Sequence, residues 1–274
     1  MDITRRNNIT ITGNPDAART MVFGHGFGTD QTSFHELVKH FEKEYRIVLY
    51  DNVGGGRSDL EAFTPQRYRD LSGYVSDLIE LFEYLDLKEV IYIGHSVNGM
   101  VGLLTSISHP SFFHKLILLG ASPRYLNDPE TLYMGGFNEE DLQGLYEAMS
   151  SNYYAWASGF SKMVMANPER PQLAESFAAT LSEIRPDVAQ FVARAIFESD
   201  HRADLPNTFT DILVIQTSND IAVPQEVGEY LHKHIKNSTY AQVDTHGHFP
   251  HISAPNEVAA AIKNYLNPGS GGSV

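Results

Sequence analysis

A serine and its neighbours are the residues whose types and spacing first suggest chemistry. Residues 94–97 read Gly-His-Ser-Val, with Ser96 third; the apolar run 90–93 precedes them and the apolar run 100–104 follows. This order predicts a strand, a sharp turn and a helix, the arrangement that exposes a nucleophilic serine. The usual pattern, G-x-S-x-G, would place glycine at position 98. This chain instead has Asn98 there and glycine one residue later.

The partners that a reactive serine needs follow later in the chain. A serine hydroxyl becomes a good nucleophile when a histidine accepts its proton and a carboxylate orients that histidine. Asp220 follows the strand-like run 212–216, and three histidines, at positions 246, 248 and 251, follow a second strand-like stretch. The order serine, aspartate, histidine is that of α/β-hydrolases and not of chymotrypsin or subtilisin. One of the three histidines would be the base, and Asp244 competes with Asp220 as the acid.

Two backbone amides could stabilise the negative oxygen that forms when a serine attacks a carbonyl group. The N–H of Val97, directly after the nucleophile, is one candidate. The second is the N–H of Phe27, within the sequence Gly-His-Gly-Phe-Gly at residues 24–28 that follows an apolar run. Glycines on either side would let the backbone face a substrate without an intervening side chain. The sequence therefore predicts an oxyanion hole formed by Phe27 and Val97.

Two other clusters suggest a cofactor or a metal, and neither fits its motif. The glycine-rich residues 51–58 lack the spacing of a dinucleotide-binding motif and the Gly-Lys-Ser/Thr of a phosphate-binding loop. The three late histidines have no cysteine and no obvious carboxylate at a known zinc spacing. We expect no cofactor and no metal site.

The periodicity of the chain predicts the elements that must position these residues. Strand-like runs alternate with helical ones through residues 1–120, and the apolar spacing of residues 74–85 suits a helix packed on a sheet. This alternation predicts an α/β fold with a mostly parallel sheet. From about 138 to 200 the pattern is helical, which predicts an insertion above the carboxyl ends of the strands. We expect a core in two parts, residues 1–123 and 205–267, a helical lid at 124–204, and a linker-like tail at 268–274.

Several short motifs, taken together, resemble those of the RsbQ group of α/β-hydrolases, which includes the plant karrikin and strigolactone receptors. They extend from about residue 20 to residue 255 and comprise His25-Gly26-Phe27-Gly28, Asp51-x-x-Gly54-x-Gly56-x-Ser58, Gly94-His95-Ser96-Val97, residues 122–128, Gly135-Gly136-Phe137, Asn152-Tyr153-x-x-Trp156, Ser199-Asp200 and Gly247-His248-x-Pro250-His251. The resemblance implies an α/β-hydrolase fold with a lid of four helices in two V-shaped layers. It also implies that position 98 takes a small residue, so Asn98 enlarges that site modestly.

The same resemblance selects among the candidate site residues. It implies that His248 is the base and Asp220 the acid, because each matches the position of its motif. It further implies a substrate pocket, lined by Phe27, Tyr125, Phe137, Leu145, Trp156, Phe160, Phe197 and Ala222. A pocket with so many apolar side chains favours a compact apolar ligand.

Composition limits the partners. The chain of 274 residues carries 34 acidic and 20 basic side chains, a net charge of −14, which disfavours binding to nucleic acid or to anionic membranes. It has no cysteine, and neither a leader-like apolar segment nor a membrane-length apolar run is evident. We expect a cytoplasmic protein without disulfide bonds.

Two functional hypotheses follow. The first is a serine hydrolase, a carboxylesterase or lactonase, that acts on a small apolar ester or lactone through Ser96, His248 and Asp220. The second is a small-molecule receptor or stress-signalling protein that hydrolyses its ligand slowly and binds a signalling protein partner. Both functions would use the same site.

Overall fold

The computed structural model describes residues 2–267, and the predicted tail at 268–274 lies outside the described residues. Within them, seven strands form one sheet in the order β1-β3-β2-β4-β5-β6-β7. β1 is antiparallel to β3, and every other neighbouring pair is parallel, which confirms the predicted mostly parallel sheet. The strands are β1 (Thr10–Gly13), β2 (Thr20–Gly24), β3 (Arg46–Tyr50), β4 (Val90–His95), β5 (Phe113–Leu119), β6 (Ile212–Asn219) and β7 (Ser238–His246).

Helices connect and cover the strands. They are α1 (Ile3–Arg6), α2 (His35–Val38), α3 (Ser72–Tyr84), α4 (Val97–Ser108), α5 (Glu139–Ser151), α6 (Tyr153–Met165), α7 (Pro171–Glu183), α8 (Pro186–Phe197), α9 (Gln225–His234), α10 (Pro250–Ser253) and α11 (Pro255–Leu266). The helix predicted over residues 74–85 is confirmed as α3. Across residues 2–267, every helix falls short of the length and apolarity needed to cross a bilayer.

The strand side chains alternate between the two faces of the sheet. In β2, Val22 joins the apolar cluster that includes Leu78 of α3, whereas Met21 and Phe23 join the cluster on the opposite face with Ile262 of α11. The central strands are buried on both faces, as expected for a parallel sheet covered by helices on each side. This burial holds the strand ends, where the candidate site lies, on a rigid base.

Four helices, α5 to α8, follow one another between β5 and β6, as the helical pattern of residues 138–200 predicts. Local sequence sets their starts: Asn138 and Asp141 form a capping box on α5, Asn152 caps α6, and prolines begin α7 and α8. α6 packs against α5 and α7, and α5 packs against α8. Their apolar faces join the same cluster as α3 and α4, so the four helices are anchored to the core.

Candidate active site

The turn between β4 and α4 holds Ser96 in an unusual backbone conformation, with φ of 54° and ψ of −121°. Its N–H donates a hydrogen bond to the Leu119 carbonyl of the neighbouring strand, at 2.8 Å. A Cβ on Gly94 would lie 2.3 Å from the backbone oxygen of Asn98, and a Cβ on Gly99 would lie 2.6 Å from Ala121 Cβ. The close approach of strand and helix therefore requires glycine at positions 94 and 99, and position 98 accommodates asparagine.

A continuous chain of hydrogen bonds joins the three side chains that the sequence selects. The Ser96 hydroxyl lies 2.9 Å from His248 Nε2, and His248 Nδ1 lies 2.7 Å from Asp220 Oδ2. The other carboxylate oxygen of Asp220 accepts the backbone N–H groups of Ala222 and Val223, at 2.8 and 3.1 Å. Because a carboxylate only accepts, Nδ1 of His248 carries the proton and Nε2 is free to accept one from Ser96.

The carboxyl ends of parallel strands bring these residues together. Ser96 follows β4, Asp220 follows β6, and His248 follows β7. Two backbone contacts then fix the His248 loop: its N–H donates to the Val164 carbonyl of α6, and its carbonyl accepts from His95 Nε2, both at 2.8 Å. The base is thus held by the sheet and by α6 together.

The competing acid and bases lie elsewhere. Asp244 is exposed on β7, where its carboxylate meets the Ser218 hydroxyl at 3.4 Å, and His246 is exposed at the end of the same strand. His251 is completely buried, with its ring stacked on Phe34 at a centroid distance of 4.7 Å. The structure therefore places Asp220 and His248 beside Ser96, and not Asp244, His246 or His251.

Burial sets the protonation of several groups around the triad. The pKa of His251 is lowered to about 3, first by burial and then by the charge of His248. Burial likewise lowers the pKa of His95 well below its ordinary value. The Tyr125 hydroxyl lies 3.3 Å from Ser96 Oγ, and burial raises its pKa to about 12. Near neutral pH the two histidines are uncharged and Tyr125 is a protonated hydroxyl facing the serine.

The two candidate oxyanion donors belong to the elbow and to the loop after β2. Val97 is the first residue of α4, so its N–H is among those that lack a partner inside the helix. The N–H of Phe27 shares a peptide plane with the Gly26 carbonyl, which accepts from Thr29 Oγ1 at 3.0 Å. A Cβ on Gly26 would lie 2.4 Å from the ring of His95, so this loop runs directly against the elbow.

Comparison with known proteins shows the family of the chain. Residues 19–255 match the family model described as alpha/beta hydrolase fold. The chain belongs to this family. The predicted fold class is therefore confirmed, and so is the resemblance to the group with the plant receptors, through the relatives described next.

Plant proteins are among the relatives of this α/β-hydrolase. A protein named karrikin insensitive 2 receptor CA, from Petunia hybrida, is 40% identical over 97% of each chain. A protein named strigolactone esterase RMS3, from Pisum sativum, is 40% identical over 95% of this chain and 96% of its own. Among solved structures, a hydrolase from Oleispira antarctica matches with a TM-score of 0.93 and 32% identity, covering 97% of this chain and 96% of that chain.

A cavity of the α/β-hydrolase opens onto Ser96, between the helices α6 to α8 and the loops that follow the strands. Its lining contains Ser96 and His248 together with five of the pocket residues expected from the sequence, namely Phe27, Tyr125, Phe160, Phe197 and Ala222. It also contains four apolar residues that sequence analysis missed: Val164, Phe177, Ile196 and Phe249. Three of these lie on α6, α7 and α8 and one beside His248, and none is a fixed residue of the sequence motifs.

The other three residues expected in the pocket do not line this cavity. The ring of Trp156 stacks on Phe160 at 5.0 Å between centroids, and Phe137 contacts Phe197 at 5.7 Å. Leu145 is partly buried against the apolar core. Phe137, Leu145 and Trp156 are not among the residues that line the cavity at Ser96. The rings of Phe137 and Trp156 instead pack against two rings that do line it, those of Phe197 and Phe160.

Proposed function

We propose that this chain is a serine hydrolase that cleaves small apolar esters or lactones. The observation that carries the proposal is the chain of hydrogen bonds from Asp220 through His248 to Ser96, at 2.7 and 2.9 Å. Its order and its geometry are those that activate a serine hydroxyl for attack. Relatives that are themselves named esterases support ester bonds as the target.

The mechanism follows from the protonation of His248. Ser96 Oγ attacks the carbonyl carbon while its proton passes to Nε2, and Asp220 stabilises the imidazolium that forms. The carbonyl oxygen becomes negative and lies in reach of the Phe27 and Val97 amides, which stabilise it. When the tetrahedral intermediate collapses, His248 gives its proton to the leaving alcohol and an acyl-Ser96 remains.

Water completes the reaction by the same route. His248 removes a proton from a water molecule that attacks the acyl carbon, and the proton then returns to Ser96 Oγ as the acid leaves. In a lactone the leaving alcohol stays attached to the acyl group, so the product is one hydroxy acid. Atoms and charge balance without a cofactor.

The lining of the cavity indicates the substrate class. Apolar and aromatic side chains such as Phe160, Phe177 and Phe249 dominate it, and the Tyr125 hydroxyl beside the nucleophile adds one polar group. Because the cavity offers few hydrogen-bonding groups, it favours a ligand that has few polar groups besides its ester. The net charge of −14 also disfavours anionic substrates.

A receptor role is the second candidate, and the similarity to a protein named as a karrikin receptor favours it. In this role the same site binds a small apolar ester or lactone, turns it over slowly, and the bound or acylated state is recognised by a signalling protein. Shared fold and shared triad residues do not separate the two roles. The rate of turnover and its dependence on a partner distinguish the enzyme from the receptor.

Labelling and turnover test both roles. A fluorophosphonate probe should label wild type and leave Ser96→Ala unlabelled, and p-nitrophenyl acetate hydrolysis should fall about a thousandfold or more in that variant because triad members act as a unit. Ser106→Ala is the matched control, since Ser106 is a buried serine on the same helix α4 whose hydroxyl meets Thr208 at 3.0 Å. More than a tenth of wild-type activity in Ser96→Ala would rule out the proposed nucleophile.

Fast multiple turnover without a partner favours the enzyme, and single slow turnover with ligand-dependent capture of a partner favours the receptor.

A further inference from the structure

Asn98, the residue that departs from the usual elbow pattern, lies at the centre of a buried hydrogen-bond network. Its side chain is fully buried on the first turn of α4. Both hydrogens of its amide nitrogen are used: one goes to the His25 carbonyl at 2.5 Å and the other to Asn52 Oδ1 at 3.0 Å. Its amide oxygen faces the hydroxyls of Tyr50 and Tyr92, at 3.0 and 3.1 Å. The side chain therefore joins α4, two strands and two loops.

The two tyrosines fix which way the Asn98 amide points. Burial raises the pKa of both hydroxyls, so each keeps its single proton near neutral pH. The hydroxyls are also 2.8 Å apart, so one of them donates to Asn98 Oδ1 while the other donates to either neighbour. A flipped amide would turn its oxygen towards the His25 carbonyl, two acceptors facing each other. Gly24 makes room for this cluster, because a Cβ there would lie 2.3 Å from the Tyr92 hydroxyl.

The other end of the network holds the loop that carries the Phe27 amide. The His25 carbonyl accepts from Asn98 and also from Asn52 Nδ2 at 3.1 Å. His25 Nε2 accepts the backbone N–H of Asn52 at 2.9 Å, so the proton of this ring is on Nδ1, which donates to the Gly26 carbonyl at 2.9 Å. That carbonyl and the N–H of Phe27 belong to one planar trans peptide, so they point in opposite directions. Fixing His25 and Gly26 therefore fixes the direction of the Phe27 N–H.

We infer that Asn98 is a positioning residue for the oxyanion hole. It does not touch the substrate; it holds the His25 carbonyl from α4, the helix that also begins with the second donor, Val97. Both oxyanion donors are thereby tied to one rigid element before substrate arrives. Preorganised donors of this kind stabilise the transition state more than the ground state. The inference rests on the proposed function, since an oxyanion hole has a role only if Ser96 attacks a carbonyl group.

Variants of the network should lower kcat and leave KM nearly unchanged. Asn98→Asp keeps the shape but replaces the two N–H donors by an acceptor that faces the His25 carbonyl, and Asn98→Ala removes the side chain. We expect kcat to fall about 10- to 100-fold in each, somewhat less than the loss of a whole oxyanion donor. Tyr92→Phe leaves the bond from Asn98 to His25 in place and should lower kcat only a few fold. Thr105→Val, a buried change on α4 that removes one bond to the Val101 carbonyl, is the matched control and should keep wild-type kcat.

An inhibitor pair separates positioning from a merely structural role. With an aryl trifluoromethyl ketone, Ser96 Oγ bonds to the carbonyl carbon, its proton passes to His248, and the oxygen becomes an oxyanion. Its inhibition constant should rise in Asn98→Ala by about the same factor as kcat falls, whereas the affinity for the corresponding neutral alcohol should stay within twofold. A structural role would instead lower the melting temperature and weaken both ligands alike.

The outcomes distinguish this inference from the function on which it rests. If wild type hydrolyses esters and Ser96→Ala does not, but Asn98→Ala and Asn98→Asp keep full kcat, the positioning role is overturned and the hydrolase remains. If wild type neither hydrolyses esters nor reacts with the fluorophosphonate probe, both are overturned. Should Asn98→Asp fail to fold, Asn98→Ala and the double variant of Tyr50→Phe with Tyr92→Phe replace it. For each, the affinities for the trifluoromethyl ketone and for the neutral alcohol are compared with those of wild type.

Discussion

The carboxylate of Asp220 offers the sharpest test of the triad, because one of its oxygens can be changed without removing the other. In Asp220→Asn the remaining oxygen can still accept the backbone N–H groups of Ala222 and Val223, which lie 2.8 and 3.1 Å from Oδ1 of the aspartate. The new NH2 group then faces His248 Nδ1. Since an NH2 group only donates, His248 must move its proton to Nε2, the atom that should accept the Ser96 proton.

The size of the effect follows from this tautomer change. A ring protonated at Nε2 donates to Ser96 Oγ and cannot act as its base, and it also loses the carboxylate that stabilises its charged form. A triad in another protein with the corresponding change loses about 10⁴ in kcat. We expect a loss of about 10³ to 10⁴ here, equivalent to roughly 4 to 5.5 kcal/mol at about 1.4 kcal/mol for each tenfold. Stability should change little, because the two backbone amides keep their acceptor.

The assay is p-nitrophenyl ester hydrolysis from pH 5 to 9, with melting temperature measured on the same samples. Asp244→Asn is the matched control: it makes the same substitution on exposed β7, where the carboxylate meets only the Ser218 hydroxyl, and it should keep wild-type kcat. If Asp220→Asn retains more than a tenth of wild-type kcat, or if Asp244→Asn is the more damaging change, the assignment of the acid is wrong.

Two further predictions concern the cavity and the buried histidine. Phe160→Ala removes an aromatic ring that lines the cavity and stacks on Trp156. In a series of esters, kcat/KM for a bulky ester relative to a small one should therefore rise about tenfold. An equal fall of kcat/KM for both esters would mean that Phe160 only packs between the helices. Because the folded pKa of His251 is lowered to about 3, the unfolded chain binds a proton between pH 6.5 and 3 that the native chain does not, and stability falls as pH falls through this range. His251→Phe should flatten the pH dependence of the unfolding free energy there by up to about 1.4 kcal/mol per pH unit in urea titrations, and an unchanged slope would contradict the lowered pKa.

Much of the fold and of the site could be predicted because the signals were local. Apolar runs bounded by glycine or polar residues predicted the strands next to the candidate site: the run 90–93 lies in β4 and the run 212–216 lies in β6. The sequence analysis did not single out β1, a four-residue strand that is mostly exposed and has Ile11 as its one large apolar side chain. The elbow at Ser96 and the loops of Asp220 and His248 follow strands directly, so the sequence motifs marked them.

What could not be predicted depends on contacts between distant parts of the chain. Asn98 departs from the elbow pattern, and its role could not be predicted. Its partners Tyr50 and Tyr92 come from β3 and β4, and no sequence motif pairs them with it. The cavity lining shows the same limit. Trp156 and Phe160 share a helix face, but which of two stacked rings borders the cavity is decided by the packing of α6 on α7.

The backbone of Ser96 has a consequence for the balance between stability and activity. A left-handed φ of 54° in a residue with a Cβ costs about 1 to 3 kcal/mol, whereas glycine adopts such angles without that penalty. Glycine at position 96 would relieve this strain, but it would also remove the hydroxyl that His248 Nε2 and the Tyr125 hydroxyl meet at 2.9 and 3.3 Å. The serine hydroxyl adds nothing to the apolar packing of the cavity, so the proposed nucleophilic role is the reason we expect for a strained serine at this position. If Ser96 is the nucleophile, selection for turnover retains a backbone strain that selection for stability would remove.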